Sequence, residues 1–135
     1  MSARRSPDHG EDRHLSLAEL LAHLDIAADA ASEDAERALE AVRAHIRKLP
    51  PAARAQLGSE LVRQRLEAGK LHADAVAERT RQDGRLLEWV ARESEPVAGV
   101  AERIAEHERA VRDAEAVVYE YDELIRMLDQ LAALI

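Results

Sequence analysis

The last third of the chain repeats apolar residues at alternating intervals of three and four, and this spacing restricts the fold more than any other feature. Such spacing places the repeated side chains on one face of an α-helix and is typical of coiled-coil-like packing. We therefore predict a helix over about 97–135, roughly 58 Å long at ~1.5 Å per residue. The series reads Val97, Val100, Ile104, His107, Val111, Ala114, Val118, Tyr121, Ile125, Leu128, Ala132, Ile135.

The first third carries a similar series, preceded by a helix start signal. Ser16 and Glu19 have the spacing of a capping box, in which each side chain bonds a free backbone N–H of the other residue. Apolar residues then alternate up to Leu49, and Pro50-Pro51 ends the pattern. We predict one helix over about 17–49. Ser32 could instead cap a second helix, but the unbroken spacing favours a single rod.

The middle third predicts a long helix over about 52–93, with a less regular apolar series. Three glycines, Gly58, Gly69 and Gly84, each cost roughly 1 kcal/mol inside a helix, so breaks or kinks are an alternative. Gly58-Ser59 in particular could end one helix and cap the next. The segment Ser94-Glu95-Pro96 separates this helix from the last one.

Short connections between consecutive helices favour antiparallel neighbours. The sequence thus predicts an all-α fold, an up-down-up bundle of three long antiparallel helices with coiled-coil-like packing, formed by residues 15–135 as one domain. The chain lacks Phe and only 2% of its residues are aromatic, so the core must be aliphatic. Residues 1–14 combine Pro7, Gly10 and charges of both signs, and we predict a disordered N-terminal tail there.

The charge balance argues against several classes of partner. A formal net charge of −8 is opposite to the basic face that phosphate-binding proteins present, so we expect no nucleic acid partner. No apolar run approaches the ~20 residues that span a bilayer, and no apolar stretch follows Arg4-Arg5 as a signal peptide requires. The chain has no cysteine, which rules out disulfides and thiolate metal sites. We expect a cytoplasmic protein.

Catalytic and metal-binding patterns are missing from the sequence. Di-iron bundles need Glu-x-x-His, but the residues three before His45, His72 and His107 are aliphatic or glycine. There is one threonine and no cysteine, and no glycine-rich phosphate loop is present. We therefore predict no catalytic residues, no metal ligands, no cofactor and no enzyme activity.

On the last predicted helix, the residues of the alternating apolar series form a seam, and further apolar residues lie beside it. Residues beside the seam and at the chain end form a predicted interaction surface for a second copy or a partner helix, because such a surplus needs covering. The alternative is that the first two helices cover it. The surface consists of Val117, Leu124, Leu131, Leu134 and Ile135.

The same helix is acidic. Residues 93–135 hold 11 acidic and 4 basic residues, whereas residues 50–92 hold 8 basic and 6 acidic residues. We predict that Glu120, Asp122 and Glu123 form an acidic patch able to steer a basic partner; a solvated helix face is the alternative.

These features favour a non-enzymatic helical assembly or adaptor protein, a scaffold or chaperone-like molecule that acts through protein–protein interaction. We expect a homo-oligomer or a complex with a partner helix. One alternative is a helical bundle with an interior ligand or metal site, which could include an enzyme. Another is an amphipathic protein of membrane surfaces, which the acidic last helix disfavours.

Overall fold

The computed structural model describes residues 15–29 and 32–135, and every regular element within these ranges is an α-helix. The all-helical prediction is therefore confirmed for the described residues, but the prediction of three long helices is wrong because four are present. The tail predicted over 1–14 lies outside the described residues. The helices are α1 (Leu17–Asp29), α2 (Ser32–Lys48), α3 (Pro51–Ala91) and α4 (Val100–Leu134).

The start of α1 confirms the capping box. Glu19 N–H donates to Ser16 Oγ at 3.1 Å, and Ser16 N–H donates to Glu19 Oε1 at 3.0 Å. Each bond satisfies a backbone donor that the first helical turn would otherwise leave without an acceptor. The sequence signal for this helix start was therefore correct in both residues.

The single helix predicted over 17–49 is wrong. α1 ends at Asp29 and α2 begins at Ser32, and the two helices run antiparallel, because Leu15 N–H at the start of α1 donates to His45 Nε2 near the end of α2 at 3.1 Å. The first turn of α2 carries Glu33 and Asp34, whose charges favour a helix N-terminus there.

Hydrophobic burial explains the break. A continuous helix would place Leu17 and Leu49 about 48 Å apart at ~1.5 Å per residue, so their apolar faces could not meet. Folding back lets both ends contribute to one core, which is purely aliphatic as the composition requires. Its buried members are Leu17, Leu20, Leu24, Val42, Ile46, Leu49, Leu57, Leu61, Leu128 and Leu131.

This core belongs to the first of two compact units. Unit one comprises the described residues up to Gln64 together with Met127–Ile135, and unit two comprises Arg65–Arg126. In unit one, the turn between α2 and α3 is closed by Arg54, whose Nη2 donates to Ile46 O at 3.0 Å. That carbonyl lies in the last turn of α2, where backbone acceptors have no partner within the helix.

The two long helices agree with those predicted from the sequence over 52–93 and 97–135. α3 runs unbroken for 41 residues through Gly58, Gly69 and Gly84, which confirms the continuous interpretation of the middle third. α4 has 35 residues and begins three residues later than predicted. Gly99, immediately before α4, has a φ of +83°, a backbone conformation that glycine adopts without a steric penalty.

Candidate interaction surface

Unit two is an antiparallel pair of helical segments, 65–91 from α3 and 100–126 from α4. His72 Nε2 lies 2.7 Å from Asp122 Oδ1, and the rings of Trp89 and His107 are stacked with centroids 6.4 Å apart. His72, early in the α3 segment, lies beside Asp122, late in the α4 segment. Trp89, late in α3, lies beside His107, early in α4, so the helices run in opposite directions. The antiparallel prediction is therefore correct for this pair.

The seam between the two segments is narrow. Half of its buried apolar side chains are alanines, which contribute little apolar area but allow helices to approach closely. Residues 65–126, all of which the structure describes, include no third helix. Two helices cover one face each, and apolar side chains on the remaining faces stay exposed. The buried seam residues are Ala68, Ala75, Val100, Val111, Ala114 and Val118.

An exposed row runs along α3 in unit two. Leu66, Ala73, Thr80 and Leu87, here called the α3 row, are spaced by seven residues, so they lie on one helix face. All four are exposed, Leu66 by 64% and Leu87 by 68%. Fully burying a leucine gains about 1.5–3 kcal/mol over leaving it in water. Two leucines that are each more than 60% exposed on one face therefore favour contact with another apolar surface.

A second row lies on α4. Ala110, Val117 and Leu124, here called the α4 row, are again spaced by seven. Val117 is 42% exposed, and the other two are half-buried. Each row residue follows an exposed carboxylate by four positions, so an acidic row formed by Glu106, Asp113 and Glu120 runs alongside. Glu106 also pairs with Arg103 at 3.6 Å.

The two rows face different sides of the hairpin. At 100° per residue, His72 lies between the buried seam residue Ala75 and the α3 row around the helix, which places this row toward the side where His72 meets Asp122. The α4 row continues the seven-residue spacing of Arg103, whose guanidinium lies 5.9 Å from the Trp89 ring centroid. The α4 row is therefore on the side of the Trp89 ring, and the two rows of one chain do not meet.

The predicted interaction surface is divided by the fold. Val117 and Leu124 belong to the α4 row of unit two, while Leu131, Leu134 and Ile135 belong to unit one. Leu131 is 0% exposed and Leu134 is half-buried; only Ile135, at 37%, is exposed among these three. The prediction that Leu131 lies on the surface is therefore corrected, because its side chain is fully buried in unit one.

The predicted acidic patch does not form one surface. Asp122 pairs with His72 at 2.7 Å, and Glu123 accepts hydrogen bonds from Arg126 Nε at 3.0 Å and Nη2 at 2.6 Å. Glu120 lies about 160° around the helix from Asp122 at 100° per residue and belongs to the acidic row. The helix therefore separates Asp122 from Glu120, whereas Glu120 and Glu123, three residues apart, lie about 60° from each other.

Trp89 organises the end of unit two next to the α3–α4 connection. Besides stacking on His107, its ring has the guanidinium of Arg92 at 5.0 Å and that of Arg103 at 5.9 Å. Cations over an indole face are stabilised by its quadrupole. The contact between Arg103 and Trp89 joins different helices, so the spacing of residues along the sequence gave no sign of it.

Two exposed carboxylates have perturbed pKa values. The hydrogen bond from Arg47 Nη2, at 2.7 Å, lowers the pKa of Glu40. Hydrogen bonds from Arg81 and Gln82 lower the pKa of Glu78. Both carboxylates bond residues of their own helix, so they stabilise α2 and α3 rather than form a reactive site.

Binding sites for small ligands have limited support in the described residues. Within residues 15–29 and 32–135, no group of three or more His, Asp or Glu side chains is placed to hold a metal ion. A cavity of about 150 Å³ in unit one is lined by Leu15, Leu17, Leu49, Leu57, Gln56 and Glu60 among others. That volume is below the roughly 300–1,000 Å³ of typical ligand sites.

None of the four described helices combines the length and the apolar character that crossing a bilayer requires. A comparison of the chain with protein-family models, with curated proteins and with solved structures finds no match in any of the three. The features of the molecule that bear on its function are chiefly the two exposed rows of unit two.

Proposed function

We propose that this chain is a non-enzymatic helical assembly or adaptor protein that acts through protein–protein interaction. The observation that carries the proposal is the pair of exposed apolar rows in unit two. Leu66 and Leu87 are more than 60% exposed on one helix face, and the α4 row is bordered by three carboxylates in a regular series. Apolar rows bordered by charge are the surfaces that partner helices recognise.

The charged borders supply specificity. An apolar row alone would bind many amphipathic helices, whereas the acidic row beside Val117 disfavours acidic partners and attracts basic ones. We propose that the protein is a cytoplasmic scaffold or chaperone-like molecule, in keeping with its cysteine-free, acidic composition. Its partners would be proteins, including other copies of the chain.

The experiment compares two variants that differ by one position. Val117→Lys places a charge in the α4 row, whereas Ala116→Lys places the same charge on an exposed position about 100° around the helix. Tagged full-length protein is used for light scattering and for pull-down from its native host. We expect Val117→Lys to lose self-association or a co-purifying protein that wild type and Ala116→Lys retain. Identical behaviour of all three proteins would contradict the proposal.

The alternative function, an interior ligand or metal site, has one observation in its favour, the cavity in unit one. Its volume suits a few water molecules better than a cofactor. Elemental analysis and native mass spectrometry of freshly purified protein test this alternative directly. A stoichiometric metal or a retained small molecule would move the function to unit one.

A further inference from the structure

The cavity of unit one lies between the start of α1, the end of α2 and the first turns of α3. Its α3 wall is formed by Ala53 and by the residues three, four and seven positions later, which share one helix face: Gln56, Leu57 and Glu60. The opposite wall and the floor are formed by Leu15, Ser16, Leu17 and Leu49. Ser16 and Gln56 are exposed, so the cavity opens to solvent on their side.

Most of the lining is aliphatic, and the space is small. Five of the eight lining residues are leucine or alanine, and Leu17, Leu49 and Leu57 among them are buried. The volume of about 150 Å³ corresponds to about five water molecules at ~30 Å³ each. A molecule or side chain of about five heavy atoms therefore fits, whereas a cofactor does not.

Glu60 is the ionisable side chain of this lining. It is half-buried, and within the described part of the chain its carboxylate has neither a hydrogen bond nor an ion pair. A carboxylate that has lost part of its hydration without gaining a partner is stabilised by a cation that approaches it.

The charges around the cavity favour a cation as well. Ser16 N–H donates to Glu19 Oε1 at 3.0 Å, so a second carboxylate borders the lining. The cations of α3 on either side of Glu60, Arg54 and Arg63, are not lining residues. Arg54 also binds the turn after α2, because its Nη2 donates to Ile46 O at 3.0 Å.

We propose that this cavity binds a primary alkylammonium group, with a chain of about four carbons against the leucines and the ammonium on the Glu60 carboxylate. An apolar stem with a charged head matches an aliphatic wall that carries one anion. A free amine and a lysine side chain both supply this group. The site goes beyond the proposed function, because it lies in unit one and involves neither row.

The test titrates n-butylammonium chloride at pH 7 into the full-length protein and follows backbone amide resonances by NMR. We expect saturable shifts at Leu17, Ala53 and Leu57, with a Kd on the order of 1–10 mM for a ligand of this size. n-Butanol has the same chain without the charge and should bind about tenfold more weakly. Sodium chloride at equal ionic strength should cause no such shifts.

Two variants with matched controls locate the site. Glu60→Gln should weaken butylammonium binding about tenfold and leave butanol binding unchanged, whereas Glu67→Gln makes the same change outside the lining and should have no effect. Ala53→Leu fills the cavity and should abolish binding of both ligands. Ala55→Leu adds the same side chain at an exposed position of α3 and should bind like wild type. Circular dichroism checks that each variant keeps wild-type helicity.

Two further probes distinguish the sources of the ammonium. Nα-acetyl-lysine amide carries the lysine side chain, and its Nε-acetylated form lacks the charge. Binding of the first but not the second supports a lysine of a partner protein as the occupant. Binding of butylammonium without binding of either lysine derivative supports a free amine.

The inference is overturned if butanol and butylammonium bind equally well, or if Glu60→Gln leaves the affinity for butylammonium unchanged. Binding that persists in Ala53→Leu would place the site elsewhere. Absence of saturable shifts with any probe would show that the cavity holds water only. None of these failures affects the proposed function, because that is tested through Val117→Lys in unit two.

Discussion

His45 shows how one side chain holds the start of α1 against α2. Its Nε2 accepts the hydrogen bond from Leu15 N–H, 30 residues earlier in the chain. A nitrogen that accepts an N–H carries no proton itself, so this contact selects the neutral imidazole. Leu15 immediately precedes Ser16 and the capping box, and the bond therefore fixes the direction in which the chain enters α1.

Replacement of His45 by leucine should destabilise the protein by about 0.5–1.5 kcal/mol, because a partly buried backbone N–H loses its acceptor. His45→Gln offers a side-chain oxygen and should recover a good part of this loss. Urea unfolding followed by circular dichroism measures both variants. Equal stability of the leucine and glutamine variants would show that the hydrogen bond contributes nothing.

The lowered pKa values of Glu40 and Glu78 predict the sign of a pH effect. A carboxylate whose pKa is lower in the folded state stabilises the fold above its unfolded pKa, about 4.3, and loses this contribution as pH falls through the folded value. Both groups are exposed, so the effect is small. The double variant Glu40→Gln/Glu78→Gln should melt slightly below wild type at pH 7, and the difference should disappear in strong acid. A difference in Tm that persisted in acid would point to a cause other than charge.

At the scale of the helices, two glycines should respond in opposite directions to alanine. Gly84 lies inside α3, and a Cβ added there meets no atom within 4 Å, so Gly84→Ala should stabilise by about 0.5–1 kcal/mol. Gly99 has a φ of +83°, and Gly99→Ala should destabilise by roughly 1–2 kcal/mol. Thermal unfolding of the two variants beside wild type tests the pair. Destabilisation by Gly84→Ala would indicate that α3 bends at this position.

Large aliphatic residues made α3 and α4 predictable, and alanines hid the break between α1 and α2. In α4 the seam positions are mostly valine, isoleucine and leucine, whose burial requires one continuous face. Between Leu24 and Val42 the series consists of alanines, which continue a helix or border a turn at similar cost. Spacing alone could not decide between these, because the deciding energy came from the leucines and valine that meet when the chain reverses.

The sequence predicted part of the α4 row as an interaction surface but did not predict the α3 row. Val117 and Leu124 stood out beside a clear seam, and the structure exposes Val117. The α3 row was not recognised, because Leu66 and Leu87 belong to a second series at helical spacing on the same helix as the seam. When one helix carries two apolar series, the sequence does not show which of them another helix covers. The answer depends on how many helices pack around that helix.

For the molecule as a whole, the two compact units predict different responses to substitution. Leu131 is fully buried in the core of unit one, whereas Val117 is exposed in unit two. Leu131→Ala should therefore cost about 2–5 kcal/mol of unfolding free energy, while Val117→Lys should change stability by no more than about 0.5 kcal/mol. Urea unfolding of both variants measures the contrast. A large loss from Val117→Lys would show that unit two needs this side chain to fold, and would weaken its assignment to a partner.

Two of the contacts that join the helices of unit two also imply an order of assembly during folding. Trp89 and His107 are 18 residues apart in the chain, whereas His72 and Asp122 are 50 apart. Closing the longer loop first would cost about 1 kcal/mol more in chain entropy. The hairpin should therefore form first near Trp89 and close toward its open end. The last part to close contains Leu66 and Leu124, side chains that another chain could contact before folding is complete.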